Sequence, residues 1–447
     1  MLLKYDMRIF ESQYDQEFTD LLQSTRADFN EDIAQSVIET LADIKFGTNP
    51  IDYTNKYSGC NIKSVNVSSG EINLAYEKLL DTKPDLIKAL NKVFDRVYNF
   101  HKKHYESIKS IKDFSYTDEL GNKLGYIFNS IESVGIYVPG GRAVYPSSVI
   151  MSFIPAFCAG VKEVYFTSPP NSDGDLNEAI LASIYICKER SYQSKTIKGV
   201  YKMGGASAIA AFCYGAKDVK KVDKIIGPGG SYVSIAKRLL FGEVGIDMVA
   251  GPTDLTIIAD ESADAELVAL DLFSQLEHGE DSRVFLITDS RYLANLVCEQ
   301  IDKILPNLSR MGIIEKSIAN SAIVIVDAIE QGAELANKIA PEHLQICTKN
   351  SDTMLRLIKN AGAVFLGNYT SESFGDYILG PSHVLPTGGS ARFNSGLSVM
   401  DFMKKISVMQ ITNGNAAKIL MQDASIIANE EMLEAHALSM LARSKLK

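Results

Sequence analysis

At 447 residues and 46% hydrophobic content, the chain is long enough for about two to three packed units and can bury a large core. Lys and Arg total 45 against 55 Asp and Glu, and the net charge of -10 offers no electrostatic footprint for a polyanion such as DNA. No apolar run approaches the roughly 18 residues that span a bilayer, and the start, MLLKYDMRIFESQYDQEF, sets acids inside any would-be signal core, so no membrane partner and a cytoplasmic location are expected.

To about residue 130, apolar positions recur at helical spacing in EFTDLLQS, IAQSVIETLADIKF and LIKALNKVFDRVYNFHKKHYESI, which predicts helices. From about 134 the pattern changes to short β-branched runs, each followed by a glycine-rich turn and a helical segment. VGIYVP precedes GGRAVYPSSVIMSFIPAFCAG, VKEVYFTS precedes DLNEAILASIYICKE, GVYKM precedes GGASAIAAFCYG, and DKIIG precedes PGGSYVSIAKRLLF. A second rhythm starts near 254: LTIIAD, a helix to His278, VFLITD, a helix, AIVIVD, a helix and AVFLG. The expected class is therefore α/β, with two Rossmann-like βαβ modules built on parallel sheets and helical N- and C-terminal segments. The expected division is 1–32 as the N-terminal segment, 33–137 with 254–397 as the main α/β domain, 138–253 as a nucleotide-binding-like α/β domain, and 398–447 as the C-terminal segment.

Six cysteines, at 60, 158, 187, 213, 298 and 347, stand singly and mostly in apolar stretches, which supports neither disulfides nor a thiolate metal site. The glycine turns PGGR, MGGAS and GPGGS carry Gly140, Gly141, Gly204, Gly205, Gly227, Gly229 and Gly230, without the GxGxxG fingerprint. A tight strand-to-helix turn explains any one of them as well as cofactor contact does. Three in one module favour a nucleotide at the helix N-termini.

Histidine is scarce, with six in the chain, and four of them fall in polar segments. ESADAELVALDLFSQLEHG reads as a helix with Ser262 as a candidate cap and Gly279 as its stop, so Gln275 and His278, three apart, share a face and could seat two corners of a metal site. On that segment alone, a dipole-stabilised histidine beside a solvated glutamine is the simpler reading. In IAPEHLQI, Glu342 and His343 could be two proton-transfer groups, but neighbours in extended chain point opposite ways and an exposed strand start explains them better. SFGDYILGPSHVLPTGGSARFNSG holds Asp376 and His383 in a loop rich in glycine, proline and serine. NEEMLEAHALS places Glu431 and His436 on a helix that by itself reads as surface.

Together the segments YVPGGRAVYPSSVIM, KVDKIIGPGG, EVGIDMVAGPTD, DLFSQLEHG, APEHLQI, GDYILGPSHVLPTGG and EAHA, in this order over nearly the whole chain, resemble the histidinol dehydrogenase family. The resemblance implies one Zn2+ per subunit held by Gln275, His278, Asp376 and His436, and NAD as hydride acceptor. It implies His343 as base for the alcohol proton and Glu342 as activator of water for the second oxidation, from L-histidinol through L-histidinal to L-histidine with two NAD reduced. Thr253, Gln275, His278, His343, Asp376, His383, Glu431 and His436 fall at its substrate-contacting positions, and Tyr137, Ser207 and Gly230 at its cofactor positions. It further implies a homodimer in which the C-terminal segment of one subunit, with Glu431 and His436, completes the site of the other.

Three positions depart from the family pattern: Ser207 stands for a glutamine, Gly230 for an asparagine, and Thr253 for a serine. Losing two amide side chains removes hydrogen bonds of roughly 0.5 to 1.5 kcal/mol each, unless other contacts replace them. Thr253 keeps the hydroxyl and adds a methyl. Two other readings stay open beside histidinol oxidation: a paralogous zinc and NAD dehydrogenase of another small polar alcohol, and a catalytically weak zinc-binding relative.

Overall fold

The computed structural model describes residues 7–12, 15–24, 31–109, 113–140, 144–191 and 195–445, and the two βαβ rhythms become two parallel sheets. One sheet has five strands in the order Ile197–Lys202, Glu163–Ser168, Ser133–Tyr137, Lys224–Ile226, Gly245–Ile246. The other has six, in the order Arg8–Phe10, Ala322–Ile325, Arg283–Thr288, Asp254–Ala259, His343–Cys347, Ala363–Leu366. All pairings within both are parallel. Parallel strands need crossover helices, which cover both faces, so the central strands are buried along their whole length and read as continuous apolar runs.

The strand His343–Cys347 corrects the expectation of an exposed strand start. It pairs with Asp254–Ala259 on one side and Ala363–Leu366 on the other, and all five of its residues are buried. A histidine and a glutamine among its five residues mask an interior strand. The helix Ala265–Leu276 is capped by Asp264, whose carboxylate accepts from the Glu266 and Leu267 amides, rather than by Ser262, and it ends before His278. Leu272, Phe273 and Leu276 anchor it on the six-stranded sheet, each burial contributing about 1.5–3 kcal/mol.

The terminal segments are helical, with one strand in each. Arg8–Phe10 forms the edge of the six-stranded sheet beside Ala322–Val324. Met403–Gln410 joins an antiparallel sheet with Lys123–Ser130 and Asp113–Thr117, placing strands where the helical reading ran on to residue 130. Lys123–Ser130 gains its central place from a partner about 280 positions later, a pairing that local periodicity cannot register. Much of this sheet and the following helix Gly414–Glu430 is exposed and apolar, with Met409 73%, Ile426 68% and Ile427 59% exposed.

Candidate active site

The two parallel sheets face one cavity of about 300 Å³ with opposite ends. The five-stranded sheet presents the C-terminal ends of Ser133–Tyr137 and Lys224–Ile226, where its strand order reverses and ligands of doubly wound folds usually sit. The six-stranded sheet presents N-terminal ends: Thr253 lies just before Asp254–Ala259, and Glu342 with His343 opens the neighbouring strand. A crossover helix returns to the edge its strand started from, so the C-terminal end of Ala265–Leu276 delivers Gln275 and His278 to the same place. The negative end of that helix dipole suits a cation.

Glu342 is 7% exposed, and its Oε2 accepts from the Thr253 hydroxyl and from the Asp254 amide at 3.3 Å. Burial pushes its carboxyl up to about 7. His343, 3% exposed, has Nδ1 3.9 Å from Glu342 Oε2 and Nε2 3.5 Å from Asp376 Oδ1. Burial alone would lower its imidazolium, but Glu342, Asp376 and Glu372 outweigh it and raise the ring to about 10. Adjacent residues thus serve one cleft because Glu342 lies just before the strand and turns its carboxylate onto the Thr253–Asp254 backbone.

Asp376 is on the short helix Glu372–Tyr377. Burial pushes its carboxyl up, but His343, with His383 and His278 beyond it, holds it below the usual carboxylate range. His383 Nδ1 lies 2.8 Å from the Asp376 carbonyl oxygen and Nε2 2.9 Å from Ser148 Oγ. A carbonyl only accepts, so Nδ1 carries the proton and Nε2 of the neutral ring accepts from Ser148. The resemblance sets His383 at the substrate. Here its ring lines the cavity with both nitrogens spent on protein partners, tying the helix Pro146–Ala159 to the Asp376 segment.

Of the four expected metal ligands, His278 and Asp376 line the cavity, and Gln275 lies behind Thr253, which lines it too. His278 sits in the exposed turn after its helix, and burial of its ring and the Asp376 charge act on it in opposite senses, with a net lowering of its imidazolium. Gln275 is fully buried, donates Nε2 to Thr253 Oγ1, and keeps Oε1 enclosed with no hydrogen-bond donor among the described residues. Such an oxygen costs about 1–3 kcal/mol, and a cation would satisfy it. The fourth, His436, is exposed on Glu434–Leu441, and neither it nor Glu431 lines the cavity. His343, Glu372 and Asp376 have potential ligand atoms within 4.8 Å of one another, a group that overlaps the expected set at Asp376.

On the opposite wall, Gly227 to Gly230 line the cavity. Gly227 has φ +114°, and a Cβ there would fall 2.0 Å from the Tyr137 carbonyl oxygen, so no other residue fits. Its carbonyl accepts from Lys237 Nζ at 2.9 Å and its amide donates to Asp247 Oδ2 at 2.8 Å, while Lys237 and Asp247 form a buried ion pair. The Tyr137 hydroxyl accepts from the Gly205 amide at 3.3 Å. Ser207 does not reach the cavity: it is 4% exposed inside Gly205–Tyr214, its hydroxyl donating to the Gly204 carbonyl at 3.0 Å. Gly230 does reach it, and a Cβ there would meet nothing within 4 Å. Gly141 lies outside the described residues.

Sequence reasoning missed Glu372, Ser148, Lys237 and Asp247. Glu372 is 1% exposed and accepts from the Ser274 and Ser373 hydroxyls. Lys237 and Asp247 look like surface charges in SIAKRLLF and EVGIDM, and only their pairing across the turn explains their burial.

A buried carboxylate and imidazole face a glycine turn across one cavity between the ends of two parallel sheets, the layout of a small-molecule site in an α/β fold. The histidinol dehydrogenase family model matches residues 23–444, and the chain belongs to that family, whose members are NAD-dependent oxidoreductases acting on a CH–OH group. It is 43% identical over 387 residues to histidinol dehydrogenase of Oceanobacillus iheyensis, covering 86% of each chain. It is 41% identical over 450 residues to that of Helicobacter hepaticus, covering 99% of this chain and 98% of the other. The crystal structure of histidinol dehydrogenase from Elizabethkingia anophelis superposes with a TM-score of 0.89 at 34% identity, over 99% of this chain and 98% of that one. Among the described residues, no helix is long and apolar enough to cross a membrane.

Proposed function

We propose that this protein oxidises L-histidinol through L-histidinal to L-histidine, with zinc orienting the substrate and two NAD reduced, as the last steps of histidine biosynthesis in the cytoplasm. The observation that carries this reading is the buried Glu342–His343 pair at the head of a cavity whose opposite wall is the Gly227–Gly230 turn. A binding protein has no use for two proton-transfer groups on one substrate path.

Gln275, His278 and Asp376 supply an amide oxygen, an imidazole and a carboxylate, a donor set that leaves a divalent ion net positive and able to take substrate nitrogen. When bound, zinc supplies an orienting positive charge and NAD a hydride acceptor. A cation held by Asp376 would cancel part of the negative charge that keeps His343 protonated, and the neutral His343 ring then takes the alcohol proton in the first oxidation. Both donors to Glu342 fall on Oε2, so Oε1 is the oxygen free to draw a proton from the water that adds to the aldehyde. His383 and Glu372 hold Asp376 and the helix behind it in register through Ser148 and Ser274. The Lys237–Asp247 pair keeps the Gly227 peptide fixed from both sides.

His436 and Glu431 enter this scheme from a second copy of the chain. Support comes from the large apolar side chains left exposed in the C-terminal segment, among them Met409, Ile426, Ile427, Met432, 90% exposed, and Leu438, 58% exposed. Exposed apolar side chains in such number fit a segment that is covered by a partner.

Purified protein supplied with zinc, L-histidinol and NAD is expected to yield two NADH per histidine. NADH formed only with another small alcohol would replace histidinol as substrate, and zinc uptake without turnover on any alcohol would leave a binder. For the shared site, mixing inactive His278→Ala and His436→Ala chains is expected to restore about a quarter of wild-type activity, since random pairing makes half the dimers hybrid with one intact site each. No restoration would end the trans-donation reading.

A further inference from the structure

We propose that Thr253 is a positioning residue whose hydroxyl decides which end of the Gln275 amide is presented as a metal ligand. The proposal rests on the zinc reading above and names the part of the chain that makes Gln275 fit it.

The argument is one of hydrogen-bond polarity. Glu342 Oε2 and Gln275 both bond to the Thr253 hydroxyl. A hydroxyl has a single proton, and Glu342 Oε2, which already accepts from the Asp254 amide, offers the hydroxyl a lone pair and no proton. The Thr253 proton therefore goes to Glu342, and its oxygen can only accept from Gln275. That contact selects the Nε2 end of the amide, which can donate, and rejects the Oε1 end, which cannot. Oε1 is consequently turned the other way, into a fully buried position with no donor among the described residues. The chain thus uses one half-buried hydroxyl to turn an amide oxygen, the harder of the two amide atoms, into an enclosed position where a cation would compensate it.

Thr253 itself is held firmly. Its carbonyl accepts from the Arg283 amide at 3.3 Å, and the Gly251 amide two residues earlier donates to Thr387 Oγ1 at 2.6 Å. Branching at Cβ restricts χ1, so the added methyl limits the directions in which the hydroxyl can swing. Serine would supply the same polarity with a freer rotor. The second consequence is a link between the two chemistries of the site: the residue that aims Gln275 also anchors Glu342, so Gln275 and Glu342 share one hydrogen-bonded chain through Thr253.

The test is zinc affinity of the purified, metal-stripped full chain, measured by competition with a chromogenic chelator, for wild type and for Thr253→Ser, Thr253→Val and Thr253→Ala. Thermal unfolding without metal is recorded for each. Thr253→Val is nearly isosteric and removes only the hydroxyl; Thr253→Ala serves if the valine chain does not fold. Wild type and Thr253→Ser are expected to agree within about threefold, and the two variants without a hydroxyl to bind zinc at least about tenfold more weakly while each metal-free chain still unfolds cooperatively above the assay temperature. Wild-type affinity in Thr253→Val or Thr253→Ala overturns the proposal while leaving the zinc reading intact. Equal loss in Thr253→Ser also overturns it, since serine keeps the hydroxyl. A wild-type chain that takes up no zinc fails at the earlier step and removes the metal reading itself.

Discussion

The two walls of the cavity are made of different material. The edge of the six-stranded sheet is built from side chains: Glu342, His343, Glu372, Asp376 and Gln275 are buried or nearly so, with Glu342 and Gln275 joined through Thr253, Glu372 bonded to Ser274, and His343 beside Asp376. The edge of the five-stranded sheet is built from backbone, namely the Gly227–Gly230 turn held by a closed Lys237–Asp247 pair. Proton transfer needs particular titratable groups at fixed distances, so each side chain on the first wall is irreplaceable in kind. A pyrophosphate is met by N–H groups that every residue except proline carries, so the second wall depends on conformation rather than on side-chain identity. The departure at Gly230 falls on the wall that tolerates it, and the one at Ser207 lies behind that wall, inside its helix.

The contrast predicts a different symptom on each side. His343→Asn should produce the largest loss, about 10²–10⁴-fold in kcat, with zinc content and the KM for NAD unchanged; full activity would remove His343 as the base. Lys237→Met should act mainly on stability and on the cofactor. An uncompensated buried Asp247 costs about 3–5 kcal/mol, read by urea unfolding, and the KM for NAD should rise more than that for histidinol. Lys237→Met with Asp247→Leu should recover part of the stability and not the KM, because Gly227 loses its clamp in both; equal shifts in the two KM values would break the contrast. Gly230→Asn should have the smallest effect. Space is open there, and asparagine suits the cap of Ser231–Leu240, so stability should change by a few tenths of a kcal/mol. The KM for NAD should fall a few-fold, and a rise would show that the backbone turn is already optimal.

Some of this arrangement is legible in the residues. Apolar runs punctuated by glycine are a local signal, and the strands Ser133–Tyr137, Glu163–Ser168 and Arg283–Thr288 lie where that signal put them. His343–Cys347 was obscured because its polar residues face partners far away in sequence, among them Asp376 and Asp271. The Lys123–Ser130 strand was obscured because its neighbour arrives near the C-terminus. At the site, Gln275 and His278 looked like the solvated end of a helix until the structure enclosed Gln275 completely.

The sequence by itself determined the α/β class, the alternation of strands and helices between about residues 134 and 366 and, through motifs spread over the chain, the family, because periodicity and turn chemistry are properties of neighbouring residues. Only the tertiary structure decided that the reactive groups lie at the N-terminal edge of one sheet facing the C-terminal edge of the other, and that Glu342 and His343 are buried together. It also decided that His436 and Glu431 lie outside the cavity of their own chain. These are relations between segments up to a hundred or more residues apart, and burial, charge coupling and hydrogen-bond polarity exist only once packing has brought such segments into contact.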